Sequence, residues 1–176
     1  MSKNTLWVTQ TAVLAALLIV MQAATAALGN TIVTGSIVNL ILIISVMIAG
    51  LSSGLTVAVI SPIFAKLLGI GPLWPLIPFI IAGNIVLVLI WHFLGKRTFG
   101  KPIVVYIITL IAAAAGKFLM LYIGIVRVAV PYLLNLPEPQ AATISGMFSV
   151  PQLFTALIGG TIAAVILPLL KKAVKN

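Results

Sequence analysis

The sequence predicts an all-α integral membrane protein, a bundle of six transmembrane helices with both termini cytoplasmic. Three observations carry that expectation: charge is nearly absent, apolar runs of bilayer length alternate with Gly/Pro breakers, and the basic residues gather in alternate connections. Of the 176 residues, 62% are hydrophobic and 6% charged, whereas a soluble domain carries about 25% charged residues as its polar skin. At roughly 20 apolar residues per span, the chain holds about five or six spans, all in a single domain covering residues 1–176. No room remains for a soluble catalytic or nucleotide-binding domain.

The first apolar stretch, Leu6 to Leu28, is followed by the break Gly29-Asn30-Thr31. With Lys3 and Ala24-Thr25-Ala26 it superficially resembles a secretory signal, but signal cores are typically about 7 to 15 residues, so a retained first span from Leu6 to Ala27 is expected. A second span starts at Ile32 or Ile37 and ends at Ala49, and Gly50-Leu51-Ser52-Ser53-Gly54 reads as a tight turn, or else a re-entrant hairpin. The third span runs from there to Leu68, where Gly69 to Pro75 supplies strong breakers, and the fourth ends near Leu94. After the basic connection Gly95 to Pro102, a fifth run extends from Ile103 to about Ile125 and trails to Leu134. Asn135 to Ser149, with Pro137, Glu138 and Pro139, reads as the longest loop, and a sixth span from Val150 to Leu170 precedes Lys171, Lys172 and Lys175.

If six spans alternate across the bilayer, Lys3, Lys96, Arg97, Lys101 and the three C-terminal lysines share one side. The connections on the other side, Gly29 to Ser36 and Gly69 to Pro75, carry no basic residue. Lys/Arg bias in short loops sets orientation, which predicts cytoplasmic termini. The formal charge of +9, with Glu138 as the single acid, thus fits membrane orientation better than binding to nucleic acid. Without cysteine there are no disulfides, thiolate metal sites or cysteine nucleophiles. The lone His92, with no carboxylate near it, is no metal site. An enzyme would need paired carboxylates, an activated nucleophile or acid-rich metal ligands, and no phosphate-binding G-x-x-x-x-G-K-[ST] loop is present. Neither a catalytic role nor a cofactor is expected.

Polar side chains within the apolar runs are the informative ones, because a central Lys or Arg costs about 2.5 to 3.5 kcal/mol on insertion scales. Counting about 1.5 Å per residue, Lys66 and Lys117 each lie roughly 20 Å up their spans, and Arg127 lies farther, near the external interface. Each could snorkel to the outer headgroups. Asn84 sits near mid-depth, while Gln22, Asn39 and Gln152 fall in the outer halves of their spans. Any one of these could be an interhelical hydrogen bond. Together they suggest an outward-facing pocket above an apolar inner half. Pro62 could kink the third span beside it, and Trp74 could stack on a flat ligand or sit in an interfacial belt.

The assembled pattern resembles the substrate-binding S component of energy-coupling factor (ECF) vitamin transporters over essentially the whole chain. It has a short basic N-terminus, six helices in fewer than 200 residues, small-residue spacing on the first helix and a basic C-terminus. In that family an A-x-x-x-A motif on the first helix packs against the transmembrane coupling subunit. Ala12-Val13-Leu14-Ala15-Ala16 matches it, with Ala23 and Ala27 on roughly the same face. The resemblance implies a prokaryotic plasma-membrane protein that captures a small water-soluble vitamin, possibly an anion, and works with that coupling subunit and two cytoplasmic ATPases. It implies substrate binding near the external side, where Asn84, Lys117, Gln152 and Trp74 fall; Gln22, Asn39, Lys66 and Arg127 complete the candidate set. A stand-alone ion-coupled transporter or channel is the alternative, disfavoured by the lack of intramembrane acids and of internal repeats. A non-transport scaffold would leave the buried cations without purpose.

Overall fold

The structure, a computed structural model, describes residues 3–97 and 101–175. It is all-helical across those residues. Helix α1 covers Lys3–Ala26, and α2 covers Thr31–Ile44 and continues as a π-helical segment, Ser45–Ala49. Helix α3 spans Leu51–Leu67, and α4 covers Ile77–Phe93 behind a 3-10 turn at Trp74–Leu76. Helix α5 is Pro102–Leu121, extended by a π-helical segment Tyr122–Leu133; α6 is Glu138–Met147 and α7 is Val150–Lys175.

Among the described residues, five helical stretches are long and apolar enough to cross a bilayer: Asn4–Ala26, Thr31–Ala49, Trp74–Phe93, Ile103–Leu133 and Glu138–Lys172. The chain is therefore a multi-pass membrane protein in its helical make-up. Helix α3 is also apolar but shorter, at 17 residues.

Two connections differ from expectation. The Gly50 to Gly54 turn reduces to Gly50 alone, whose φ of 93° lies where residues with a Cβ are strained. Helix α3 begins at once at Leu51, with Ser53 and Gly54 buried in its first turn. The expected long loop Asn135 to Ser149 contains α6, because Pro137 takes the N-cap position and Pro139 sits in the first turn. A proline there loses no intrahelical hydrogen bond, so Pro-Glu-Pro starts a helix instead of preventing one. Of the basic connection, Thr98 to Gly100 lie outside the described residues.

Packing is closest where glycine admits a neighbouring helix. On α7, a Cβ at Gly159 would collide with the Ser36 carbonyl oxygen and lie 2.9 Å from the Asn39 Cβ. On α4, a Cβ at Gly83 would lie 2.9 Å from Leu121 of α5, and on the π-helical tail one at Gly124 would meet Phe79. Small residues that let backbones approach are how helices associate where lipid removes the hydrophobic drive between them. The main core, with Leu42, Val46, Leu87, Trp91, Ala113, Ala163 and Leu167, fills the half of the bundle toward Gly50 and the C-terminus. Helix α1 is peripheral: 11% of its apolar window is buried, against 50% for the Thr31–Ala49 stretch.

Candidate ligand-binding site

At the opposite end, the connections after α1, α3 and α6 surround a cavity of about 280 Å³. Gln22 and Ala26 of α1, Gly35 and Val38 of α2, Ser61, Pro62 and Ala65 of α3, and Ile80 and Asn84 of α4 form much of its wall. Lys117 and Leu121 of α5, Phe148, and Gln152 of α7 complete the ring, with Gly29 to Thr31 and Ile70 to Pro72 at the rim.

Lys117 is the centre of the site. It is 4% exposed, and its Nζ donates to the Oδ1 of Asn39 at 2.6 Å and of Asn84 at 2.7 Å. Both amides are held in turn. Asn39 Nδ2 donates to Thr155 Oγ1 at 3.2 Å, and Asn84 Nδ2 donates to the Ala58 carbonyl at 3.4 Å. Thr155 donates back to the Gln152 carbonyl at 3.0 Å, so α2, α3, α4, α5 and α7 are joined through one buried polar network. Such hydrogen bonds to a charged group are worth about 1.5–3 kcal/mol each. They also fix the ammonium in place beneath the cavity.

Among the described residues the ammonium has no carboxylate partner: Glu138 is exposed in the first turn of α6. Two further buried polar atoms of the wall, Gln22 Oε1 and Ser61 Oγ, have no hydrogen-bond partner within the protein. Buried groups of this kind are normally satisfied, and here both belong to residues that line the cavity. The remaining wall is largely apolar, from Val38, Pro62, Ala65, Ile80, Leu121 and Phe148. Concave apolar walls with a few fixed polar groups are the general form of a small-molecule site.

The candidate residues divide into three sets. Gln22, Asn84, Lys117 and Gln152 line the cavity. Asn39 is fully buried and acts through Lys117 instead of forming wall. Lys66, Trp74 and Arg127 are not in the wall. Lys66 follows the wall residue Ala65, and the turn of about 100° per residue carries it off that face; its backbone instead packs on Gly71. Trp74 is 53% exposed. The exposed Arg127 guanidinium lies 5.3 Å from the centre of the Tyr122 ring, a cation–π contact on the outside of the bundle. Sequence reasoning passed over Ser61 and Thr155, since small hydroxyl residues are inconspicuous in an apolar run and commonly bond their own helix.

No protein-family model, curated protein or solved structure matches this chain.

Proposed function

We propose that this protein is the substrate-capture subunit of an ECF-type importer, taking up a small water-soluble vitamin or related nutrient. In this reading α3 completes six spans, both termini are cytoplasmic, and the cavity faces outward. The observation that carries it is the cavity itself, closed by a preorganised buried lysine and backed by a packed apolar core. That geometry, a cavity above a packed apolar core, suits capture from one side better than the polar-lined path of a channel. A capture subunit then depends on others for energy, here a transmembrane coupling protein and two ATPases.

The peripheral position of α1 supports the same reading. Ala12 and Ala16 are exposed on its outer face, with Ala23 and Ala27, so the small-residue stripe is not consumed by packing inside this chain. The test is co-purification of Ala12→Trp and Ala16→Trp with a coupling subunit, alongside protease accessibility of tags at both termini in intact membranes. A bulky side chain should separate the helices and abolish the complex without altering the cavity. Normal co-purification of both variants removes the docking face, and a tag exposed outside removes the six-span topology.

A further inference from the structure

Resting on the reading of the cavity as a capture site, we infer that it takes a small organic monocarboxylate whose carboxylate docks on Lys117 and whose apolar body carries a hydrogen-bond donor for Gln22 or Ser61. An ammonium has three donors, and Lys117 spends two on Asn39 and Asn84. The third is left for the cavity that the residue lines. Both partners are neutral amides, so neither offsets the charge of the protonated amine, and a buried charge is costly unless it is paired as well as hydrogen-bonded. An anion entering the cavity supplies the missing partner.

The same wall argues against a phosphate. Lys117 is its one cation, since Lys66 and Arg127 lie elsewhere. Two helix starts border the cavity. That of α2 already directs the N–H groups of Ile32 and Val33 to its own Asn30 Oδ1, and in that of α7 Pro151 has no N–H while the Gln152 N–H donates to the Ser149 carbonyl. One positive charge and one free donor match a single carboxylate, not the larger charge and the three strong acceptor oxygens of a phosphate. Gln22 Oε1 can only accept, which calls for an N–H or O–H on the ligand. The cavity of about 280 Å³ sits at the small end of ligand sites, roughly 300–1,000 Å³.

The test uses the full chain in lipid nanodiscs, with benzoate, 4-aminobenzoate and pyridine-3-carboxylate as probes. Each is compared with its primary amide, and phenyl phosphate is set beside benzoate. Thermal shift and isothermal titration should show at least one acid binding roughly 10- to 150-fold more tightly than its amide, the worth of a charged hydrogen bond. Benzoate should outbind phenyl phosphate. Asn84→Asp places a carboxylate beside Lys117 inside the protein, and should reduce that acid to the affinity of its amide. The inference is overturned if amides bind as well as acids, if phenyl phosphate binds better, if no acid in the panel binds, or if Asn84→Asp binds acids unchanged. Failure of the capture reading would show separately, as failure of the unsubstituted chain to co-purify with a coupling subunit.

Discussion

The two ends of the bundle handle positive charge in opposite ways. At the cavity end one lysine is buried, fixed by two amides and, among the described residues, without a carboxylate partner. At the other end Lys96 and Arg97 are exposed, and Lys171 reaches the Tyr106 hydroxyl at 3.1 Å with its ammonium 5.7 Å from the ring centre. Burial raises the worth of every interaction a charge makes, and the cost of each one it lacks. A surface lysine is nearly indifferent to its neighbours and acts by its sign alone. The first arrangement suits the proposed site, and the second suits the proposed cytoplasmic placement of that end.

The sharpest way to break this contrast is to break the packing between α2 and α7 that brings Asn39 under Lys117. Gly159→Val should be the most damaging substitution, because its Cβ meets the Ser36 carbonyl, a backbone atom that cannot swing aside. Overpacking costs typically 1–3 kcal/mol and more where backbone must move, so a large fall in melting temperature is expected. A melting temperature near wild type would mean that α7 can slide along α2 without loss.

A milder test compares two lysines that the sequence treats as equals. Asn39→Leu removes one of the two acceptors of Lys117 and should destabilise by about 1.5–3 kcal/mol, the range for a hydrogen bond to a charge. Lys66→Met, off the cavity wall, should stay within about 0.5 kcal/mol. Denaturation of both variants in one detergent decides the matter; equal effects would mean that the network does not distinguish Lys117.

The smallest effect belongs to the basic end. Partial burial, and then repulsion from Lys171, lower the Lys96 pKa below 10.5. The folded protein thus holds that proton less firmly than the unfolded chain does, so stability rises as pH climbs through the folded-state pKa toward the free-lysine value. Lys96→Gln should flatten that rise and change stability near neutral pH by about 0.5 kcal/mol or less, shrinking further in high salt. A larger loss would mean that Lys96 has an attractive partner.

How legible these features were in sequence follows from what each depends on. Hydropathy and breakers placed α1, α2, α4, α5 and α7 to within a few residues, because span length is set by the bilayer and needs no tertiary information. Helix α6 was hidden by its two prolines, whose meaning reverses between a helix interior and its first turn. For the site, position along each helix was readable and rotation was not. Lys66 and Lys117 stand equally far from the starts of their helices, but in helices that are apolar nearly all round, amphipathicity cannot show which face turns inward. Asn39, Asn84 and Gln22 stood out as costly in hydrocarbon, whereas the roles of Ser61 and Thr155 became visible only from their neighbours across helices.

The cavity's size has a consequence for hydration. At a share of about 30 Å³ per molecule, a space of about 280 Å³ corresponds to on the order of ten waters. Water against Val38, Ile80 and Phe148 would find few polar groups to hold it, whereas water touching Lys117, Gln22 and Ser61 would be tethered. Displacing a loosely held water favours binding, and displacing a tethered one is costly unless the newcomer reproduces its hydrogen bonds. In the capture reading proposed above, selectivity would be settled at the floor of the cavity, by which molecules can substitute for water there, while the upper walls would tolerate variation in shape.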